Sequence, residues 1–122
     1  LLGEDGKASM INSKELEDLF KKIKYLHPQL RLVYLNACFT ESQAEAISKA
    51  GTDENELYVI GTTDTINSMR AQEVAELFYG AYAKKKAIKR CTEEASTMFT
   101  NKDVEIRLFK NGKEIKLYQD EK

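Results

Sequence analysis

Cysteine, histidine and proline are scarce in this chain of 122 residues, which has two Cys, one His and one Pro. Two cysteines, Cys38 and Cys91, do not make a disulfide framework. Nothing in them points to secretion, so the cytosol is the default compartment. An excess of charge is missing as well. Lys plus Arg number 19 and Asp plus Glu 20, a net charge of -1, which makes no electrostatic case for nucleic acid or an anionic membrane. No apolar run approaches the ~20 residues of a membrane-spanning helix. A Gly-rich phosphate loop, a GxSxG elbow, a paired CxxC, internal repeats and low-complexity segments are all absent from the sequence. No cofactor or metal is expected from it. What remains is 42% hydrophobic and 32% charged, the balance of a soluble globular protein rather than of disorder. The length suits one domain that buries about two-thirds of its unfolded surface.

The chain opens on Leu1-Leu2-Gly3 with no initiator Met and no signal pattern. That start reads as the end of a strand whose beginning lies elsewhere, so the chain is expected to be a fragment or a processed subunit. Leu1-Leu2 and Ala8 to Ile11 read as two short extended pieces around the Asp5-Gly6 turn. Ser13 is expected to cap a helix with Leu16, Leu19, Phe20 and Ile23 as its apolar stripe, ended by Pro28. Leu57 to Thr62 reads as a strand followed by a polar loop, Thr63 to Asn67. A long helix capped by Ser68 carries Val74, Leu77, Phe78 and Ala81 on one face, and Gly80 inside it suggests close packing. Lys84 to Lys86 read as a solvated helix end, and a further helix carries Ile88, Cys91, Ala95 and Met98 at helical spacing. Val104 to Phe109 and Glu114 to Tyr118 alternate polar with apolar around Asn111-Gly112, a strong hairpin signal.

The stretch from Arg31 to Ile47 organises the rest. Leu32, Val33, Tyr34 and Leu35 form a short apolar run of strand formers, expected to be a fully buried strand of a parallel sheet. Cys38 sits at its carboxyl end. Thr40 is placed to cap the next helix, with Glu41 in the first turn, Gln43 at the capping-box position and Gly51 closing the far end. Open α/β sheets place ligands and chemistry between a strand's carboxyl end and a helix start. Helix amides there lower a thiol pKa, and the thiolate is the nucleophile. On position alone a free cysteine reads first as a small core residue. Strands alternating with helices predict an α/β fold: a mostly parallel central sheet flanked by helices on both faces and ending in a β-hairpin.

Leu35-Asn36-Ala37-Cys38, followed by Glu41 to Ile47, together with Tyr58-Val59-Ile60-Gly61-Thr62-Thr63, Phe78-Tyr79 and Lys85-Lys86-Ala87-Ile88, resembles the CHAT domain, a caspase-like peptidase module associated with TPR repeats. The opening Leu1 to Ala8 looks like the segment after the catalytic His-Gly of that family. The resemblance covers nearly the whole chain, 1–122, as one domain fragment. It is to short bacterial versions that sit beside sensor or effector-associated domains in a larger protein.

The resemblance implies a cysteine endopeptidase with a Cys–His dyad, in which Cys38 is the nucleophile and its amide half of the oxyanion hole. The His is implied on a strand end before Leu1, supplied by an upstream segment or a companion chain. His27, the only histidine here, precedes Pro28 at the amino end of the strand that leads to Cys38. A strand of about seven residues spans roughly 23 Å, so His27 is expected on the opposite rim. Asn36 faces the same side as Cys38 by strand alternation. It reads either as a floor of the substrate pocket or as a structural amide. Thr62, Thr63 and Asp64 match the family's pocket wall. Asp64 is placed to attract a basic substrate side chain or to bond local backbone. Cys91 reads as core, and Phe39 and the small insertion Thr52 to Asn55 depart mildly from the family. Two functions are carried forward: a peptidase portion acting on protein or peptide substrates, and an inactive caspase-like scaffold. A receiver-type or flavodoxin-like regulatory domain shares a parallel sheet, but receiver acids at early strand ends are not evident.

Overall fold

The computed structural model describes residues 12–35, 40–63, 68–97 and 106–118. Within them the order is α1 (Ser13–Leu26), β1 (Leu32–Tyr34), α2 (Glu41–Ser48), β2 (Tyr58–Thr62), α3 (Ser68–Ala83), α4 (Ile88–Ser96), β3 (Ile106–Lys110) and β4 (Lys113–Ile115). The expected hairpin in residues 1–11, the loop Asp64 to Asn67, Met98 and Val104 lie outside the described residues.

The four strands form one sheet in the order β1-β2-β3-β4. β1 and β2 run parallel, with Val33 opposite Val59. β2 and β3 are antiparallel, with Ile60 opposite Leu108, and so are β3 and β4. The mostly parallel sheet expected from the sequence is therefore corrected to a mixed sheet with one parallel pair. Among the described residues two helices, α3 and α4, stand between β2 and β3 in the chain, and β3 returns antiparallel to β2.

Strand alternation divides the core. Leu57, Val59 and Phe109 point to α1 and α2 and pack with Ala44, Ile47, Leu16 and Phe20. Ile60, Ile106 and Leu108 point the other way and pack with Val74, Phe78, Ala81, Cys91 and Ala95 of α3 and α4. Helices thus cover both faces of the sheet, as the alternating order predicts. β1 is half-buried along its length rather than fully buried, because β2 is its only strand neighbour among the described residues.

Several local readings change. Asn12, not Ser13, caps α1, its side chain accepting from the Glu15 N–H at 2.8 Å. Leu19 and Leu77 are 44% and 40% exposed, at the margins of their helices' apolar stripes. Gly80 meets nothing within 4 Å, so no close packing explains it. Gly51 is glycine for a different reason from helix closure: a Cβ there would collide with Asn111 Oδ1 and lie 2.6 Å from Leu57 N.

The hairpin turn matches its signal closely. Asn111 and Gly112 have φ 53 and φ 89, the two left-handed residues of a type I′ turn, between Lys110 and Lys113. The turn is also tied inward. Asn111 Oδ1 accepts from Leu57 N–H at 3.0 Å, and Gly112 N–H donates to Ser48 Oγ at 3.0 Å.

One buried side chain has no counterpart in the sequence reading. Lys24 lies on the core side of α1 and is 3% exposed. Its ammonium donates to the Leu30 carbonyl at 2.5 Å and to Asn55 Oδ1 at 2.6 Å, clamping the end of α1 to the loop before β2. Burial pushes its pKa down, and the neighbouring Arg31 adds to the effect.

Candidate functional site

The carboxyl ends of the parallel pair form the rim at which the sequence places chemistry. Leu35 N–H extends the ladder past β1 by donating to Ile60 O at 3.0 Å. Thr40, at the N-terminus of α2, is bonded twice to the last residue of β2. Its N–H donates to Thr62 O at 2.9 Å, and its hydroxyl accepts from Thr62 N–H at 2.9 Å. The hydroxyl therefore serves the strand and not the helix: α2 has no side-chain cap, and the Thr40–Gln43 capping box is not formed.

Gly61 lets the two elements meet so closely. A Cβ there would stand 2.7 Å from Thr40 O and 2.9 Å from Ala44 Cβ. The N-terminus of α2 is thus seated on β2 with Thr40 buried. Leu35 and Thr40 are thus both bonded to the carboxyl end of β2, at Ile60 and Thr62.

Cys38 and Asn36 belong to the link between those anchors and lie outside the described residues, as does Asp64. Thr62 is buried, both of its backbone polar groups engaged by Thr40. Thr63 is half-buried and lines a cleft of about 370 Å³ beside α2.

That cleft was not anticipated. Glu41, Ser42 and Glu45 of α2 form one wall, and Arg107 and Phe109 of β3 with Glu114 of β4 form the other. Arg107 bridges the walls, Nε 3.5 Å from Glu41 Oε2 and Nη1 3.4 Å from Glu114 Oε1. Both pairs are partly exposed, so each contributes on the order of 0–1 kcal/mol. Half of this arrangement was legible. With Asn111-Gly112 as a two-residue turn, Phe109 faces Glu114 and Arg107 stands diagonally from it on the same face. The α2 side required knowing that β3 packs beside β2.

His27 terminates α1 and is exposed, its N–H donating to Ile23 O at 2.8 Å. Its carbonyl accepts from Leu30 N–H, so it stands at the amino end of β1, across the sheet from Thr40 and Thr62. Cys91 is sealed in the α3–α4 core with its Sγ 3.5 Å from Lys86 O. Burial pushes its thiol pKa up, Glu94 adding to the effect, so it is held as an unreactive thiol. Tyr34 packs on Phe78 and Tyr79, ring centroids 5.3 and 5.6 Å away. Burial raises its hydroxyl pKa to about 12, which removes it from proton transfer near neutrality.

Among the described residues no group of three or more His, Cys, Asp or Glu is arranged to hold a metal ion. No helix among them is long and apolar enough to cross a membrane. Comparisons of the chain with protein-family models, with curated proteins and with solved structures return no match.

Proposed function

We propose that this chain is the nucleophile-bearing portion of a caspase-like, CHAT-type cysteine endopeptidase, regulated by fused sensor or effector-associated domains in a larger bacterial protein. Cys38 attacks the scissile carbonyl of a protein substrate as its thiolate, and the Cys38 amide helps hold the oxyanion; the C–N bond then breaks, the amine leaving with a proton from the externally supplied His, and water hydrolyses the thioester to a carboxylate and the free thiol. Asn36, Thr62, Thr63 and Asp64 belong to the substrate side of the site, and no cofactor takes part.

The observation that carries this reading is the pair of anchors at the rim. Leu35 and Thr40 bracket Cys38, and both are bonded to the carboxyl end of β2. Helix N-terminal amides lower the pKa of a thiol beside them, and that is the role this reading gives the seated N-terminus of α2. The base comes from outside, since His27 stands at the other end of β1. β1 itself supports a neighbour. β1 is half-buried and pairs with β2 alone among the described residues, which leaves its other edge for such a neighbour. A strand from an upstream segment or companion chain, laid along that edge, carries its own carboxyl end to the rim beside Cys38.

The position of His27 also favours a second reading, an inactive caspase-like scaffold. Labelling the full-length parent with a peptidyl thiol-reactive probe separates the two. The peptidase reading expects labelling that Cys38→Ala abolishes and Cys91→Ala leaves intact. Equal labelling of both variants, or none of a folded wild type, ends it.

A further inference from the structure

Residues 84–90 read Lys-Lys-Lys-Ala-Ile-Lys-Arg, five cations in seven positions of a chain whose net charge is -1. They span the turn between α3 and α4 and the first turn of α4. α3 ends in a Schellman motif: Lys85 N–H donates to Tyr82 O at 2.9 Å and Lys86 N–H to Ala81 O at 3.4 Å. Lys85 occupies the left-handed position of that motif, with φ 62. Glycine fills this position without steric cost, so a lysine here carries a backbone penalty that folding does not explain.

Among Lys84, Lys85, Lys86 and Arg90, a single carboxylate does the pairing. Glu94 serves two of them, its Oε2 lying 2.9 Å from Lys86 Nζ and 3.6 Å from Arg90 Nε. Glu93 is taken by the Tyr118 N–H. Among the described residues no carboxylate lies within ion-pairing distance of Lys84 or Lys85, and both are exposed. Beside the turn, Tyr79 and Tyr82 are half-exposed along α3, Tyr82 stacked on Phe78 with centroids 6.0 Å apart.

We propose that the α3–α4 turn is a docking surface for a short acidic segment of a partner protein. Its carboxylates meet Lys84, Lys85 and Lys86, and an apolar side chain lies against Tyr79 and Tyr82. A long polyanion fits less well. The cationic stretch is a single turn, and the solvent side of α3 beyond it carries Glu73 and Glu76. A phosphate backbone or a lipid surface extending past the turn meets those carboxylates, whereas a short acidic peptide does not.

The test uses the full chain and a short fluorescein-labelled poly-glutamate peptide bearing one phenylalanine, followed by fluorescence anisotropy. Binding is expected at low salt and weakens as salt rises. K84E/K85E reduces affinity at least about tenfold, because like charges then face each other across the contact. K113E, an exposed reversal on β4, leaves affinity unchanged, and Tyr82→Ala weakens binding without changing its salt dependence. Far-UV circular dichroism checks that each variant is folded. The proposal is overturned by no binding at low salt, or by equal affinity of K84E/K85E. Tighter binding to a uridine oligonucleotide or to phosphatidylserine vesicles than to the peptide also overturns it.

Discussion

Two glycines provide opposite tests of how the rim is built. At Gly61 an added Cβ stands 2.7 Å from Thr40 O, 0.7 Å short of the 3.4 Å at which ordinary contact begins. The obstructing atom is backbone, so it cannot swing aside. Relief comes from lifting α2 off β2 by several tenths of an ångström, which lengthens the two 2.9 Å bonds joining Thr40 to Thr62. Overpacking costs about 1–3 kcal/mol, and each weakened buried hydrogen bond up to about 1 kcal/mol more. The reduced freedom of alanine in the unfolded chain offsets about 0.5–1 kcal/mol. Gly61→Ala is therefore expected to destabilise by about 2–3 kcal/mol. At Gly80, exposed within α3, an added Cβ meets nothing within 4 Å, and Gly80→Ala stabilises by about 0.5–1 kcal/mol. Urea unfolding monitored by circular dichroism reads both. The Gly61→Ala midpoint falls by about 1–2 M while the Gly80→Ala midpoint rises. A Gly61→Ala variant within about 0.5 kcal/mol of wild type would show that α2 is not seated on β2 as described, since surface substitutions commonly fall in that range.

Lys24→Met removes both bonds of the buried ammonium, leaving the Leu30 carbonyl and the Asn55 amide without their donor. Two unmet acceptors outweigh the relieved desolvation, for a net loss of about 1–3 kcal/mol. The folded pKa of Lys24 lies below the ordinary 10.5, so the unfolded chain holds that proton more tightly. Wild-type stability therefore gains from this group as pH rises from the folded pKa towards 10.5. The gap between wild type and Lys24→Met should widen over that window in paired urea titrations, and a narrowing gap contradicts the assignment. Lys85→Gly removes the left-handed penalty of about 1–2 kcal/mol at an entropic cost of about 0.5–1 kcal/mol. Its thermal midpoint is expected to rise by about 2–5 °C, and a fall refutes the Schellman reading.

The individual elements were legible because each is coded locally. The apolar run Leu32 to Leu35, the helical spacing of Val74, Phe78 and Ala81, and the Asn111-Gly112 pair each carry their own period or turn chemistry. For the candidate site the sequence names only a position, Cys38 between a strand and a helix, and that residue lies outside the described ones. The cleft beside α2 was not legible, since Glu41, Glu45, Arg107 and Glu114 come from three elements. Short-range pattern also misjudged single residues whose partners are remote. Thr40 looks like a helix cap, but the N–H that claims its hydroxyl belongs to Thr62, 22 residues away. For Lys24 the pattern carries no expectation at all, because the Asn55 that meets it lies 31 residues further on.

By itself the sequence determined four helices, the strands around them, the tight turn and the near-neutral charge, because periodicity, turn chemistry and composition act within a few residues. Only the tertiary structure decided that β3 lies antiparallel beside β2, that α2 is latched to β2 through Thr40, and that Lys24 is buried. Those outcomes depend on which surfaces meet once the chain closes on itself, and no local preference encodes that choice.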